Sequence, residues 1–145
     1  MLSHLEPYLL MPSALTPTAL LQRADQIAAT VTINTLTGPV RVRHTPLYDA
    51  WLLPWERDAV TTLHAHDGSY GAYVALSGTF RETVASESGI RERLVVTGEK
   101  VAFRPGYTHR LTTSAPAVSL HLFSPPRPSG PCAVAPASAP ALASL

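Results

Sequence analysis

Residues 59–78 read AVTTLHAHDGSYGAYVALSG, and the way this stretch divides decides the fold. Ala59–His66 reads as one short strand and Ala72–Leu76 as the next. Working outward, the same rhythm continues on both sides. Strands are predicted at Val40–Thr45, Tyr48–Trp55, Thr79–Ala85, Arg91–Val96, Lys100–Phe103, Tyr107–Thr113 and Ala117–Phe123. Short runs rich in Val, Leu, Thr, Phe and Tyr, each closed by Gly or Pro, pack as a β-sandwich or β-barrel. The expected class is all-β.

The flanks have a different character. Thr16 is placed to cap a helix with Pro17 at its first position, and Ala19, Leu20, Leu21, Ala24, Ile27 and Ala28 recur at helical spacing. Residues 125–145 hold six prolines and six alanines in 21 positions, a composition too poor in large apolar groups to offset its ordering entropy. The division expected is therefore a helical segment at 1–29, a barrel at 30–124 and a disordered tail at 125–145.

Composition narrows the function classes. The chain has 145 residues, 46% hydrophobic and 14% charged, which suits one globular domain. Its formal net charge is +1 with no basic cluster, so a nucleic-acid surface is not expected. No apolar run approaches the length of a membrane span. The apolar stretch Tyr8–Met11 has no basic region before it, so no signal peptide is expected. A single cysteine, Cys132, excludes an internal disulfide framework and fits a reducing cytoplasm. Lying in the tail, Cys132 reads as an incidental thiol.

Chemistry concentrates in Leu63-His64-Ala65-His66. On a strand, alternate side chains share a face, so two imidazoles about 6 to 7 Å apart would point the same way and suit one metal ion. His-x-His by itself is unspecific. His109, just after the turn at Pro105-Gly106, gives a third imidazole on a later strand. His4 and His44 belong to no such group.

With these residues in hand, the sequence resembles a known family. The stretch from Thr62 to Gly78 is similar to the first motif of the cupins, and Gly98 through His109 to the second. Most metal-binding cupins add a glutamate five residues after the second histidine, and here that position is Gly71. A three-histidine set of this kind marks the cysteine dioxygenase family. Tyr48–Trp55 and Pro116–Pro126 resemble that family too, in the right order. The resemblance implies a cupin-type barrel or jelly roll in which His64, His66 and His109 hold Fe(II). It also implies a small thiol and O2 as partners, a sulfinate as product, and most often a monomer.

Three neutral imidazoles leave a divalent ion its full charge, so anionic ligands such as a substrate thiolate are favoured in the open positions. Zinc is the rival metal, because three histidines and an open position also describe catalytic zinc. The family grips the substrate carboxylate with an upstream arginine, and alignment back from Tyr48 and Trp51 implies Arg41, with Arg43 as alternative. Ser119 and His121 fall on one face of the closing strand and are expected to hydrogen-bond to each other or to ordered water. Phe123 departs from the family's tyrosine there, and with Gly71 it rules out the cysteine–tyrosine cross-link some members carry. Tyr73 or Tyr107 could supply a replacement hydroxyl, although core packing suits both. The expected function is an iron(II)-dependent thiol dioxygenase acting on a cysteine-like thiol. The alternatives are a non-catalytic ligand-binding or sensing cupin, a 3-mercaptopropionate-type enzyme and a zinc-dependent enzyme.

Overall fold

A computed structural model describes residues 14–34 and 36–137. His4 and the Tyr8–Met11 stretch lie outside the described residues, as do 138–145.

Helix α1 (Pro17–Ala28) begins where expected: the Thr16 hydroxyl accepts a hydrogen bond from the Ala19 amide at 3.2 Å, and Pro17 occupies the first turn, where its missing N–H costs nothing. Its buried stripe is Leu20, Ala24 and Ile27, and that stripe covers the back of a sheet.

Among the described residues ten strands follow: β1 (Val40–His44), β2 (Asp49–Trp55), β3 (Ala59–Val60), β4 (Tyr70–Ser77), β5 (Phe80–Ser86), β6 (Gly89–Val95), β7 (Lys100–Phe103), β8 (Thr108–Thr112), β9 (Ala117–Ser124) and β10 (Ala135–Pro136). All pair antiparallel in two sheets, ordered β1-β2-β9-β4-β7 and β10-β3-β8-β5-β6. The centre of the first sheet is buried on both faces, which is why β2 and β9 read as nearly continuous apolar runs. Its outer face (Ala50, Leu52, Ala72, Val74, Leu120 and Leu122) packs against α1. Its inner face joins the second sheet around Leu53, Trp55, Tyr73, Phe80, Phe103, Leu111 and Phe123. The opposite edge, β6, is almost entirely exposed, and Arg91, Glu92 and Arg93 put charge along it. Charge on an edge strand discourages pairing with another chain.

Three expectations change. The strand expected at Ala59–His66 stops at Val60, and His64 returns only as an isolated bridge to His109. The register between β1 and β2 shifts between Arg41 and Arg43. Arg41 stays opposite Trp51 on the inner face, while Arg43 pairs with Ala50 and turns to the other side. The two arginines therefore do not share a face. Finally, residues 125–137, expected as part of a disordered tail, run back along the barrel. Ala135 and Pro136 pair with β3, and the Ala137 amide donates to the Asp58 carbonyl at 2.8 Å. Composition speaks to what a segment buries alone and misses what it gains by pairing with a waiting strand.

Candidate metal centre

The site is built from two backbones that hold each other. His64 and His109 exchange both of their amide–carbonyl hydrogen bonds, each at 2.9 Å. His66 is placed by a turn: Asp67 has φ of 54°, and the Ser69 amide donates back to the His66 carbonyl at 3.0 Å. Aspartate tolerates this left-handed conformation better than most residues, and Gly68 follows without side-chain hindrance. The two histidines thus converge through a bridge and a turn, where alternation along one strand had been expected.

Their ligand nitrogens, with that of His109, all lie within 4.8 Å of one another. His66 Nε2 and His109 Nε2 are 3.3 Å apart. Two nitrogens each about 2.1 Å from a common ion have about that spacing, so the three residues fit a metal. The second nitrogens agree. His64 Nδ1 pairs with the Thr62 carbonyl at 2.8 Å, and His109 Nδ1 with the Glu82 carboxylate at 2.7 Å. An N–H directed at an oxygen fixes the tautomer and leaves Nε2 as a free lone pair. Burial first, then the neighbouring histidines, lowers the His66 pKa to about 2, so it too is neutral at ordinary pH.

Glu82 went unnoticed in the sequence. It is fully buried, bonded to His109 on one side and to Arg93 Nε at 2.7 Å on the other. Burial pushes its carboxyl up, but these hydrogen bonds outweigh burial and hold it below the usual carboxylate range. The carboxylate missing from the ligand set thus stands one hydrogen bond behind it. The signal was present: on β5, Glu82 lies two residues from each of the buried Phe80 and Val84, hence on an inward face. Tyr73 is buried near Glu82 with its hydroxyl unpartnered and raised in pKa, by burial first and then by Glu82; its ring stacks on His121 at 5.5 Å. The Tyr107 hydroxyl accepts from Arg93 at 3.3 Å.

Ser119 and His121 meet as expected. Trp55 Nε1 donates to Ser119 Oγ at 2.8 Å, and that oxygen lies 2.7 Å from His121 Nε2. Ser119 Oγ thus accepts from the indole and shares a second hydrogen bond with His121 Nε2; with the serine proton in that bond, the imidazole carries its own proton on Nδ1. Burial lowers the His121 pKa to about 3.

Gly71 and Phe103 explain each other. A Cβ at Gly71 would sit 2.1 Å from the Phe103 ring, so that ring leaves no room for a side chain there. Phe103 and Phe123 both stack on His66, at 4.4 and 5.5 Å between ring centres. Gly71→Ala is expected to lower stability by about 1–3 kcal/mol through overpacking. Denaturant titration should show it, with much of the loss recovered in the double variant with Phe103→Leu; equal losses in both would sink the account.

A cavity of only about 10 Å³ touches His64, His66, His121, Phe123, Pro131 and Cys132. Cys132, read as incidental, is therefore a wall of the site. Burial would raise its thiol pKa, but hydrogen bonding from His64 and Thr62 brings it below the usual value. Arg41 lines a separate cavity of about 270 Å³, its guanidinium 5.8 Å from the centre of the Trp51 ring. Another cavity, of about 690 Å³ and lined in part by Leu53, Trp55, Ala59 and Pro136, holds no histidine.

With that geometry established, the family is shown by the sequence itself: a model for cysteine dioxygenase type I matches residues 32–130. The chain belongs to this family. No curated protein matches the sequence. Solved structures agree on the cupin barrel. KdgF from Halomonas sp. is 24% identical with a TM-score of 0.57, over 63% of this chain and 80% of that one. An RmlC-like cupin from Shewanella frigidimarina is 16% identical with a TM-score of 0.57, over 70% and 89%. TT1209 from Thermus thermophilus is 20% identical with a TM-score of 0.53, over 73% and 94%. At these identities the likeness concerns the fold alone. Among the described residues, no helix is long and apolar enough to cross a membrane.

The buried histidines make acid stability a direct test. Above pH 6.5 His66 and His121 are neutral folded or unfolded and add no pH dependence. Below it the unfolded chain takes up protons that the folded one refuses, until the folded values near 2 and 3 are reached. The depressed Glu82 carboxyl acts in the same direction, since its contribution is lost as pH falls. Metal-free protein should lose up to about 1.4 kcal/mol per pH unit for each of the two histidines below 6.5. Denaturant midpoints from pH 7 to 4.5 measure this, and a flat profile would contradict it.

Proposed function

We propose that this protein is an iron(II)-dependent thiol dioxygenase that converts a small carboxylate-bearing thiol, cysteine or a near relative, to its sulfinate. The observation that supports this best is the set of three neutral histidines with no carboxylate ligand, within a chain of the cysteine dioxygenase type I family. When bound, iron(II) supplies open coordination positions where a thiolate and O2 can meet.

The protein's own groups do the rest. His64, His66 and His109 hold the metal, and Thr62 and Glu82 fix two of those rings through their second nitrogens. Both oxygen atoms of O2 end on sulfur; the thiol sulfur gives up four electrons, O2 takes them, and the S–H proton leaves to solvent. His121, fixed by Ser119 and with its proton on Nδ1, donates a hydrogen bond beside the metal and does not charge at neutral pH. Phe123 brings no hydroxyl, so the phenol that other members place there has no counterpart at this position. Arg41, opposite Trp51, is the residue that the family resemblance offers for the substrate's carboxylate.

The test is elemental analysis of protein prepared with iron without air, then oxygen uptake and sulfinate detection with cysteine, 3-mercaptopropionate and cysteamine. Stoichiometric iron with one O2 consumed per sulfinate supports the reading; iron-loaded protein that consumes no oxygen with any thiol refutes it. The small histidine cavity favours a second reading, a binding or sensing barrel. Freshly purified protein almost free of metal would support that reading.

A further inference from the structure

The histidine cavity is closed. At about 10 Å³ it has room for about one water molecule and none for a thiol. Two of its walls, Pro131 and Cys132, come from the returning segment, and two others, Leu53 and Trp55, stand on the inner face of β2. Leu53 and Trp55 also line the 690 Å³ cavity, together with the next stretch of that same segment, Val134, Ala135 and Pro136. One strap thus walls both spaces, and the same two β2 side chains touch both.

The way this strap is held changes at Gly130. Before it the chain is well fastened. Ser69 Oγ donates to the Pro125 carbonyl at 2.8 Å, and the Arg127 side chain, only 11% exposed, lies over the Phe123 ring at 5.4 Å and reaches Asp67. Gly130 itself has φ of 70°, a left-handed conformation that glycine enters freely, and its amide donates to the Arg127 carbonyl at 3.0 Å. Beyond it the hold is slight. Cys132 Sγ lies 3.8 Å from the Thr62 hydroxyl, and Val134 is half-buried against the core. Strand β10 pairs only two residues with the equally short β3, at the edge of its sheet. The last fastening among the described residues is the Ala137 amide on the Asp58 carbonyl at 2.8 Å. Segments with little buried apolar surface and few hydrogen bonds open at a far lower free energy than the whole fold.

We propose that residues 131–137 are a lid over the metal centre, hinged at Gly130 and latched on β3, and that lifting it joins the two cavities into one chamber open to substrate. This rests on the reading of the three histidines as a metal centre that takes a small thiol, and specifies how the thiol gets in. The closed state keeps water from the metal; the open state supplies space that the closed one lacks. Hinges of this kind are a few loop residues that absorb the change in backbone angles, and the closed lid shields the reacting site.

The test locks the latch, then loosens it, in protein loaded with cobalt(II). Val60 and Ala135 are direct partners, and opposed antiparallel residues stand about 4.5–5.5 Å apart, within reach of a disulfide. Cys132→Ser removes the competing thiol. In that background Val60→Cys with Ala135→Cys, once oxidised, should slow the stripping of cobalt by EDTA at least roughly 10-fold relative to the same protein reduced. Ala137→Pro, which deletes the amide held by Asp58, should quicken stripping roughly 2- to 10-fold, the worth of one hydrogen bond. Ile27→Val, a change in the buried stripe of α1, weakens the whole fold by a comparable amount and should leave the rate unchanged. A second readout is the thiolate-to-cobalt absorption band formed with 3-mercaptopropionate without air, which should also appear more slowly in the oxidised protein. Absence of that band even in reduced protein would remove only the thiol reading, since EDTA still reports on the lid. Equal stripping of oxidised and reduced protein, or an equal quickening by Ile27→Val, would overturn the proposal.

Discussion

His64→Ala and His109→Ala are both expected to lose the metal, and only the second should also lose substantial stability. Removing a group that merely orients a ligand typically costs 10- to 100-fold in metal affinity. Removing a ligand itself should therefore exceed about 100-fold, enough to empty the site on dialysis. The two variants differ in what they leave behind. His64 is half-buried, and its Nδ1 pairs with a backbone carbonyl near the surface. His109 is buried, and its loss strands the Glu82 carboxylate with Arg93 as its one remaining partner. Leaving a buried charged group one hydrogen bond short costs about 1–3 kcal/mol or more, a large share of a domain's stability. Metal content by elemental analysis, set beside denaturant midpoints of the metal-free proteins, measures both effects. Retention of metal by either variant would rule out a shared three-histidine centre.

Glu82→Gln should weaken metal binding by about 10- to 100-fold without touching a ligand. The amide keeps the size of the side chain and can still accept the His109 proton, but it removes the negative charge that makes the ring a better donor to a cation. It also turns one N–H group toward Arg93 or His109, where an acceptor is needed. Competition against a chelator of known affinity gives the number. Glu82→Asp, which keeps the charge on a shorter arm, should fall between the two. Equal affinity for wild type and Glu82→Gln would show that the carboxylate serves the fold alone.

Much of this was legible in the sequence, for reasons that differ by residue. The strands were readable because a small barrel needs short apolar runs closed by Gly and Pro, and nine of the ten announced themselves that way. The eleven residues from Ala59 to Ser69 were readable only at their start, because beyond Val60 the chain follows the geometry of the site, with a bridge at His64 and a left-handed Asp67. Arg41 and Arg43 looked equivalent because alternation assumes an unbroken register; one extra residue in the ladder sent Arg43 outward. Glu82 could have been found by asking why an acid lies between two inward apolar residues. Arg127 could not. Its burial comes from residues 125–137 settling onto the barrel, a tertiary event that Pro- and Ala-rich composition conceals.

That settling also sets the order in which the protein becomes competent during synthesis. Chains emerge N-terminus first at about 5–20 residues per second. Once Ser124 has been added, every strand from β1 to β9 except β3, which still lacks β10, has its sheet neighbours, and all three candidate metal ligands exist. Yet Pro131 and Cys132, which wall the histidine cavity, and Arg127 beside it have not been made. Until residue 137 arrives to anchor on Asp58, the nascent barrel presents an open centre. Metal can enter from solvent during that interval, before the last segment roofs the site.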